Sequence, residues 1–286
     1  MNKNHPKLAL VIGSGGLKCA AAMGVMQVLE AEHIAIDMVV GCSGGSVFGA
    51  AIALGFSYEE TRELCAQTWS NENISKKDLR SILKIIFPKR YGFDDKMGIF
   101  SDHVMSRNLE KAFGTKTTFT NTKIPFYCVA TDFRTGTPVV ISEGKVAKAL
   151  RASSGIPVIF QPLDWDGQLL IDGGLSNPLP VDVAIQEGAD IIIAVGFETP
   201  LLPSVSSAGN FARQLFNILV NQLLYKQYAF YNLAYHSEII PIILDFEEDI
   251  GLNDIHQIPF IVEQGVKETH KHIPFLKKVL DPTQAV

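Results

Sequence analysis

The best candidate for chemistry in this chain is a serine set between glycines. Gly41, Ser43 and Gly45 form the pattern Gly-x-Ser-x-Gly. The apolar residues 38–40 before it predict a buried strand, and the small residues 46–54 after it predict a helix. A serine in a sharp turn between a strand and a helix is the setting of a nucleophile elbow. A plain small-residue turn that packs a helix on a strand is the alternative.

The chemistry explains why these residue types occur together. A serine hydroxyl is a weak nucleophile, so it must be exposed in a tight turn beside a base. That turn brings the positions two before and two after the serine close together, which favours glycine at both. The helix that follows directs its free N–H groups toward the reacting centre, where they can stabilise negative charge.

A second segment could bind an anion. The apolar run 8–12 predicts a central parallel strand, and a helix is predicted over about 20–31. Between them lies Gly13-Ser14-Gly15-Gly16-Leu17-Lys18-Cys19, a loop whose backbone N–H groups could face a phosphate or a transient oxyanion. The dinucleotide fingerprint fails because Lys18 stands where its third glycine belongs, and no Walker A sequence exists. A packing loop is the alternative.

A third segment supplies an acid. Residues 169–172 end a predicted strand in Asp172, which Gly173 and Gly174 follow before a proline-rich turn. An acidic residue at the carboxyl end of a strand is well placed to face a cleft. A turn in which Asp172 caps its own backbone is the alternative.

In this order, and together with Arg-Ala-Ser-Ser-Gly-Ile-Pro-Val-Ile-Phe-Gln-Pro at residues 151–162, the three segments resemble the patatin-like phospholipases, most closely the small bacterial members. The resemblance covers roughly residues 7–200. It departs from the family pattern at Cys19, where members usually have glycine, whereas Lys18 keeps the basic position before it.

The resemblance implies a serine–aspartate dyad without histidine. It assigns Ser43 as the nucleophile, Asp172 as the base, and the backbone N–H groups of Gly15 and Gly16 as oxyanion-hole donors. The remaining motif residues would support this geometry: Gly13, Lys18, Gly41, Gly45, Gly173 and Gly174. No metal or other cofactor is implied.

A full triad would need a histidine after the acid, as in the α/β-hydrolases. His236, His256, His270 and His272 do follow Asp172, but none lies in an obvious strand-to-loop setting. The nucleophile of that fold also follows several strands, whereas Ser43 comes early. These points favour the dyad.

Bulk properties narrow the class of protein. The 286 residues are 47% hydrophobic and carry a net charge of −5, so a full core is expected and nucleic acid is not expected as a partner. The four cysteines form no close pair, and neither a leader nor a membrane-spanning run is recognisable, so we expect a cytoplasmic protein. Peripheral contact with the inner membrane surface is left open.

The predicted fold is a three-layer α/β structure with a mostly parallel sheet and helices on both faces. We expect one patatin-like domain over 1–286, with a motif-bearing core at 7–200, a helical insertion at 56–122 and a helical C-terminal part at 205–286. Strands are predicted at 8–12, 37–41, 125–131, 137–142, 168–172, 190–196 and 238–243.

Three stretches could control access to the site. Residues 75–90 combine lysines with apolar residues, which suits a lid or membrane-facing helix as well as a core-packing helix. The apolar stripe at 210–235 needs a partner, which could be the sheet, another subunit in a homo-oligomer, or acyl chains. Residues 199–209 are predicted to form a flexible loop that could gate entry of substrate to the site.

The leading functional hypothesis is a lipid acyl hydrolase that cleaves carboxylic esters of phospholipids or lysophospholipids through an acyl-enzyme. An acyltransferase that uses the same dyad is the second. A weakly catalytic, lipid-binding regulatory protein is the third, although the retained serine, aspartate and glycine loop argue against it.

Overall fold

A central sheet of eight strands organises the part of the chain that the computed structural model describes. That part comprises residues 6–69, 83–84, 86–92, 95, 97–100, 102–234, 237–246 and 250–280. The strands are β1 Leu8–Ile12, β2 Met38–Cys42, β3 Phe126–Asp132, β4 Pro138–Ile141, β5 Leu163–Trp165, β6 Gln168–Asp172, β7 Ile191–Phe197 and β8 Glu238–Leu244.

The strand order is β5-β6-β3-β2-β1-β7-β8, and β4 also pairs with β3. Strands β3, β2, β1, β7 and β8 run parallel, whereas β4, β5 and β6 join by antiparallel pairing. All residues of β1 and β7 are buried, as expected of central parallel strands covered on both faces.

Helices cover both faces of this sheet. Leu8, Leu10 and Ile12 of β1 point into the larger core, while Ala9 and Val11 point into the second core on the other face. The helices are α1 Ala21–Ala31, α2 Gly44–Leu54, α3 Tyr58–Trp69, α4 Pro88–Tyr91, α5 Asp102–Phe113, α6 Val146–Ser153, α7 Val181–Gln186, α8 Ala208–Ala234 and α9 Ile258–Leu280. Residues of α7 and α8 pack on the strands in the second core, and residues of α1, α2, α5, α6 and α9 contribute to the first.

The predicted α/β architecture is confirmed, with two differences in detail. Each predicted strand is present within about two residues of its expected bounds. However, β5 was not expected, because three residues give too short a pattern to recognise. The strand that carries Asp172, β6, is antiparallel to β3, within a sheet that was expected to be mostly parallel.

The predicted apolar stripe at 210–235 falls in α8 as far as residue 234, and this part is only partly covered. Residue 235 lies outside the described residues. Leu224 and Tyr231 are buried in the second core, but Phe211, Leu215 and Leu219 are 58%, 47% and 53% exposed. Of the segment 75–90, residues 75–82 and 85 lie outside the described residues. Within the described part, no helix has the length and apolarity to cross a bilayer.

Candidate active site

The sequence brings a serine to a strained turn directly after β2. Ser43 lies between β2 and α2 with φ 54° and ψ −126°, a backbone conformation that is unfavourable for a residue with a side chain. Its carbonyl accepts hydrogen bonds from the N–H of Ser46 at 2.9 Å and from the Ser46 hydroxyl at 2.6 Å. The predicted strand, turn and helix are therefore present, and Ser43 lies in the turn between them.

Close packing explains the glycines on either side of this serine. A Cβ added to Gly41 would lie 2.5 Å from the Cα of Ser46, and one added to Gly45 would lie 2.5 Å from the carbonyl oxygen of Gly13. Real side chains do not tolerate such distances, so both positions of the motif require glycine.

The acid lies against the serine. The Ser43 hydroxyl donates a hydrogen bond to Oδ2 of Asp172 at 2.7 Å, and Asp172 Oδ1 accepts the N–H of Gly174 at 2.8 Å. Strands β2 and β6 bring the two residues together, because both pair with β3: Cys42 lies opposite Val129 and Asp172 opposite Ala130. The carboxyl ends of β2 and β6 therefore meet beside β3.

The Asp-Gly-Gly motif permits this close approach. A Cβ added to Gly173 would lie 2.9 Å from the Cys42 sulfur, and one added to Gly174 would lie 2.8 Å from the Ser14 hydroxyl oxygen. The motif thus packs simultaneously against the end of β2 and against the glycine loop after β1.

Burial controls the electrostatics of the acid. Asp172 is completely buried, and this burial raises the pKa of its carboxyl from 3.8 to about 7. The hydrogen bonds from Ser43 and Gly174 and the charge of Arg151 act in the opposite direction and favour the carboxylate. A carboxyl with a pKa near 7 can exchange a proton at neutral pH.

The loop after β1 runs beside the serine. A Cβ added to Gly44, the residue after Ser43, would lie 2.7 Å from the backbone N and Cα of Gly16. Gly16 has φ +58°, a left-handed conformation that favours glycine. Gly15 faces Phe197 of β7, whose ring would be 2.5 Å from an added Cβ.

Backbone hydrogen bonds hold this loop at its first two residues. The N–H of Gly13 donates to the Val195 carbonyl at 2.9 Å, and the N–H of Ser14 donates to the Pro178 carbonyl at 2.7 Å. Within the described residues, the N–H groups of Gly15 and Gly16 have no hydrogen-bond acceptor. Those two groups are therefore available to an anion.

Lys18 and Cys19 are both accommodated inside the protein. The Lys18 ammonium donates to the carbonyl of Glu198 at 2.8 Å and to the hydroxyl of Thr199 at 3.2 Å, which ties the loop to the segment after β7. The Cys19 thiol donates to the Gly13 carbonyl at 3.3 Å, and burial raises its pKa. The cysteine that replaces the family's usual glycine thus stays neutral and contacts the loop itself.

None of the described histidines is part of this arrangement. His33, His103, His256 and His270 are exposed and His272 is partly exposed, and none of them is hydrogen-bonded to Ser43 or Asp172. His5 and His236 lie outside the described residues. The described residues also contain no group of three or more His, Cys, Asp or Glu side chains that could hold a metal ion.

Sequence reasoning missed that the end of α6 and the turn just after it hold the backbones of Ser43 and Asp172. The N–H of Ser43 donates to the Ser153 hydroxyl at 2.8 Å, and the N–H of Asp172 donates to the Gly155 carbonyl at 3.0 Å. Residues 151–162 are part of the family resemblance, but nothing in their spacing indicates which partners they contact. The only signal in the sequence that this segment matters to the site is that the family resemblance includes it.

The chain belongs to the patatin-like phospholipase family. The family's sequence profile, described as "Patatin-like phospholipase", matches residues 10–185. Patatin-like phospholipase domain-containing protein 7 of Mus musculus is 31% identical over 196 residues, which cover 66% of this chain and 13% of that protein. An uncharacterized NTE family protein of Mycobacterium tuberculosis is 32% identical over 192 residues, which cover 67% of this chain and 49% of that protein.

The fold agrees with this assignment. The crystal structure of VipD from Legionella pneumophila superimposes with a TM-score of 0.50 at 13% identity and covers 94% of this chain and 66% of that one. Membership of the family suggests hydrolysis of lipid esters. The chain spans at most about half the length of the two relatives described above, so the activity of those whole proteins does not transfer directly.

Proposed function

We propose that this protein is a lipid acyl hydrolase that cleaves carboxylic ester bonds through a Ser43–Asp172 dyad. The observation that carries the proposal is the 2.7 Å hydrogen bond from the Ser43 hydroxyl to Asp172, made at a strained elbow. A hydroxyl in contact with a carboxylate can lose its proton as it attacks, which is the requirement for a serine nucleophile.

Asp172 is the base in this proposal. Its ionised form accepts the Ser43 proton, and its raised pKa of about 7 makes it a better proton acceptor than an ordinary carboxylate. Since only the carboxylate can accept that proton, kcat/KM should fall as the pH drops below about 7.

The oxyanion would be held by the loop after β1. The N–H groups of Gly15 and Gly16 are available, and Gly16 lies against the residue that follows Ser43. One such donor typically contributes about 3 kcal/mol to lowering the barrier.

The reaction proceeds in two balanced steps. Ser43 Oγ attacks the ester carbonyl while its proton moves to Asp172; the tetrahedral oxyanion collapses, and the alcohol leaves with that proton. Water then attacks the acyl-enzyme, its proton passes to Asp172, and the fatty acid leaves as the Ser43 hydroxyl is restored.

The substrate class rests on the family assignment, and phospholipids or lysophospholipids are the proposed esters. Such lipids are aggregated, so the protein must work at a lipid surface, at least transiently. The exposed apolar side chains of α8 (Phe211, Leu215 and Leu219) support contact with such a surface.

Replacement of the nucleophile tests the proposal. Ser43→Ala should reduce hydrolysis of p-nitrophenyl butyrate by at least about 10³-fold and abolish labelling by a fluorophosphonate probe. Asp172→Asn should impair both reactions severely, because the amide cannot accept the proton. Circular dichroism and the unfolding midpoint verify that each variant is folded.

Mass spectrometry of fatty acids released from mixed lipids then identifies the ester class. Unchanged turnover in folded Ser43→Ala would remove Ser43 from the mechanism and overturn the proposal. Transfer of the acyl group to an added alcohol or thiol, without release of fatty acid, would instead indicate an acyltransferase.

A further inference from the structure

One short turn contacts the backbones of both residues of the dyad. It comprises Ser153, the last residue of α6, and the residues just after it, and it accepts the Ser43 N–H through the hydroxyl of Ser153 at 2.8 Å and the Asp172 N–H through the carbonyl of Gly155 at 3.0 Å. Ser43 and Asp172 lie 129 positions apart in the sequence. The turn therefore joins two distant segments at the two residues that must remain in contact.

The hydroxyl of Ser153 is itself fixed. It is fully buried, and it donates to the carbonyl of Val129 in β3 at 2.6 Å. The same oxygen therefore accepts from Ser43 and donates to β3. With both contacts made, neither the hydroxyl nor the Ser43 amide has freedom to turn away.

The elbow needs such a constraint. Ser43 has φ 54° and ψ −126°, and a strained backbone of this kind persists only where its surroundings hold it. The N–H of Ser43 is one of the two backbone groups that define this conformation, and the Ser46 bonds to its carbonyl hold the other.

We propose that Ser153 is a positioning residue for the reaction: its hydroxyl links the Ser43 amide to β3 and so holds the nucleophile in contact with Asp172. The inference rests on the proposed function of the dyad and extends it to a residue that touches neither the substrate nor the reacting atoms. Without the Ser153 oxygen, the Ser43 amide and the Val129 carbonyl lose a buried partner, and the elbow can relax away from the carboxylate.

The test compares two neighbouring serines. Ser153→Ala removes the linking hydroxyl, whereas the matched control Ser154→Ala removes a buried hydroxyl that has no hydrogen-bond partner within the described residues. Ser153→Thr restores a hydroxyl. Ser153→Cys nearly preserves the volume of the side chain but replaces the hydroxyl with a thiol, which is a weak hydrogen-bond acceptor. It serves as the second variant if the alanine variant does not fold.

Steady-state kinetics provide the first readout. Ser153→Ala should lower kcat for p-nitrophenyl butyrate by roughly 10- to 100-fold with KM changed less than about twofold, because misplacement of a nucleophile affects the chemical step. Ser153→Thr should recover part of kcat, and Ser154→Ala should match the wild-type enzyme.

The pH profile of kcat/KM provides a second readout, which would not change if Ser153 only stabilised the fold. The hydrogen bond from Ser43 lowers the pKa of Asp172, so a loosened bond shifts the acidic limb of kcat/KM to higher pH in Ser153→Ala. The titratable groups coupled to Asp172 are Arg151 of α6 and three buried cysteines, whose thiols stay neutral because burial raises their pKa: Cys19, Cys42 and Cys128. Of these groups, Cys128 also loses a side-chain hydrogen bond with Ser153 in the variant; that bond lowers the pKa of its thiol, so the thiol stays neutral without it.

Hydrogen exchange of the Ser43 amide, followed by mass spectrometry of a peptide that spans the elbow, measures the link without reference to activity. Faster exchange in Ser153→Ala than in Ser154→Ala is expected. If folded Ser153→Ala, or Ser153→Cys in its place, matches Ser154→Ala in kcat, acidic limb and exchange, the inference is wrong. Failure of the proposed function would instead appear as an active Ser43→Ala variant, so the two outcomes are distinct.

Discussion

At the scale of single residues, Asp172 is subject to opposing influences. Complete burial favours its neutral form, whereas the Ser43 hydroxyl, the Gly174 N–H and the Arg151 charge favour the carboxylate. Desolvation dominates, and the carboxyl of the folded protein retains its proton up to about pH 7. In the proposed mechanism, a carboxylate placed in this way is a stronger base, but its ionisation opposes folding.

We therefore expect Asp172→Asn to stabilise the protein at high pH while it removes activity. The folded state holds the proton of Asp172 up to about pH 7 and the unfolded chain releases it near pH 3.8, so wild-type stability falls as the pH rises between these values. The pKa difference corresponds to roughly 4 kcal/mol as an upper limit.

Urea unfolding of both proteins at pH 5 and pH 8 measures this effect. The stability advantage of Asp172→Asn over the wild-type protein should be larger at pH 8, since the asparagine side chain carries no charge at either pH. An equal difference at the two pH values would show that ionisation of Asp172 does not oppose folding.

The sequence predicts the dyad but not the residues that hold it. Ser43 and Asp172 lie in short motifs whose local context carries the information. Ser153 contacts Ser43 across 110 positions, and its serine type alone does not indicate a partner. Arg151 likewise gives no sign in the sequence that its charge is buried near a carboxylate. Long-range partners of this kind depend on tertiary packing, so sequence reasoning could not identify them.

At the scale of elements, α8 has its polar and apolar faces arranged unusually. Side-chain amides of Gln214 and Asn221 accept hydrogen bonds from the N–H groups of Leu202 and Thr199, which fastens the start of the loop 199–207 to the helix. The large apolar side chains Phe211 and Leu219 instead face outward. The periodicity predicted the helix correctly, but it could not tell which face would be covered.

If this outward face meets lipid, then Phe211→Ser combined with Leu219→Ser should weaken sedimentation with phosphatidylcholine vesicles by at least about tenfold, because each inserted apolar side chain contributes on the order of 1–2 kcal/mol. Phe275→Ser in α9 is the matched control, since Phe275 is also 44% exposed. Equal binding by the two variants would exclude α8 as the contact surface.

The strand directions illustrate a second limit of sequence reasoning. Residues 168–172 were predicted as a strand, and their buried, apolar pattern suits either direction. Direction depends on which strand lies beside them, and β6 pairs antiparallel with the last three residues of β3. The alternation of strands and helices still predicts the α/β class correctly, because most of the parallel sheet is built from such alternation.

At the scale of the whole molecule, none of the histidines that the structure describes is hydrogen-bonded to Ser43 or Asp172. The described histidines are exposed or partly exposed. A protein that hydrolyses esters through such a dyad should depend on none of its seven histidines.

Chemical modification tests this expectation on the intact protein. Treatment with diethyl pyrocarbonate should leave at least about half of the esterase activity, because no imidazole takes part in proton transfer. A Ser-His-Asp esterase treated in parallel should lose its activity. Loss of activity that hydroxylamine reverses would indicate an essential histidine and contradict the dyad.

The pairing of β6 with β3 also makes strand alignment a determinant of reactivity. Neighbouring residues of a strand point to opposite sides, so a slip of one position would carry the acid to the far face of the sheet and about 3.4 Å along it. An insertion or deletion within residues 168–172 should therefore abolish the proposed hydrolysis even where the fold survives. Protein engineers who lengthen this hairpin can alter the loop at 166–167 freely only while that alignment is preserved.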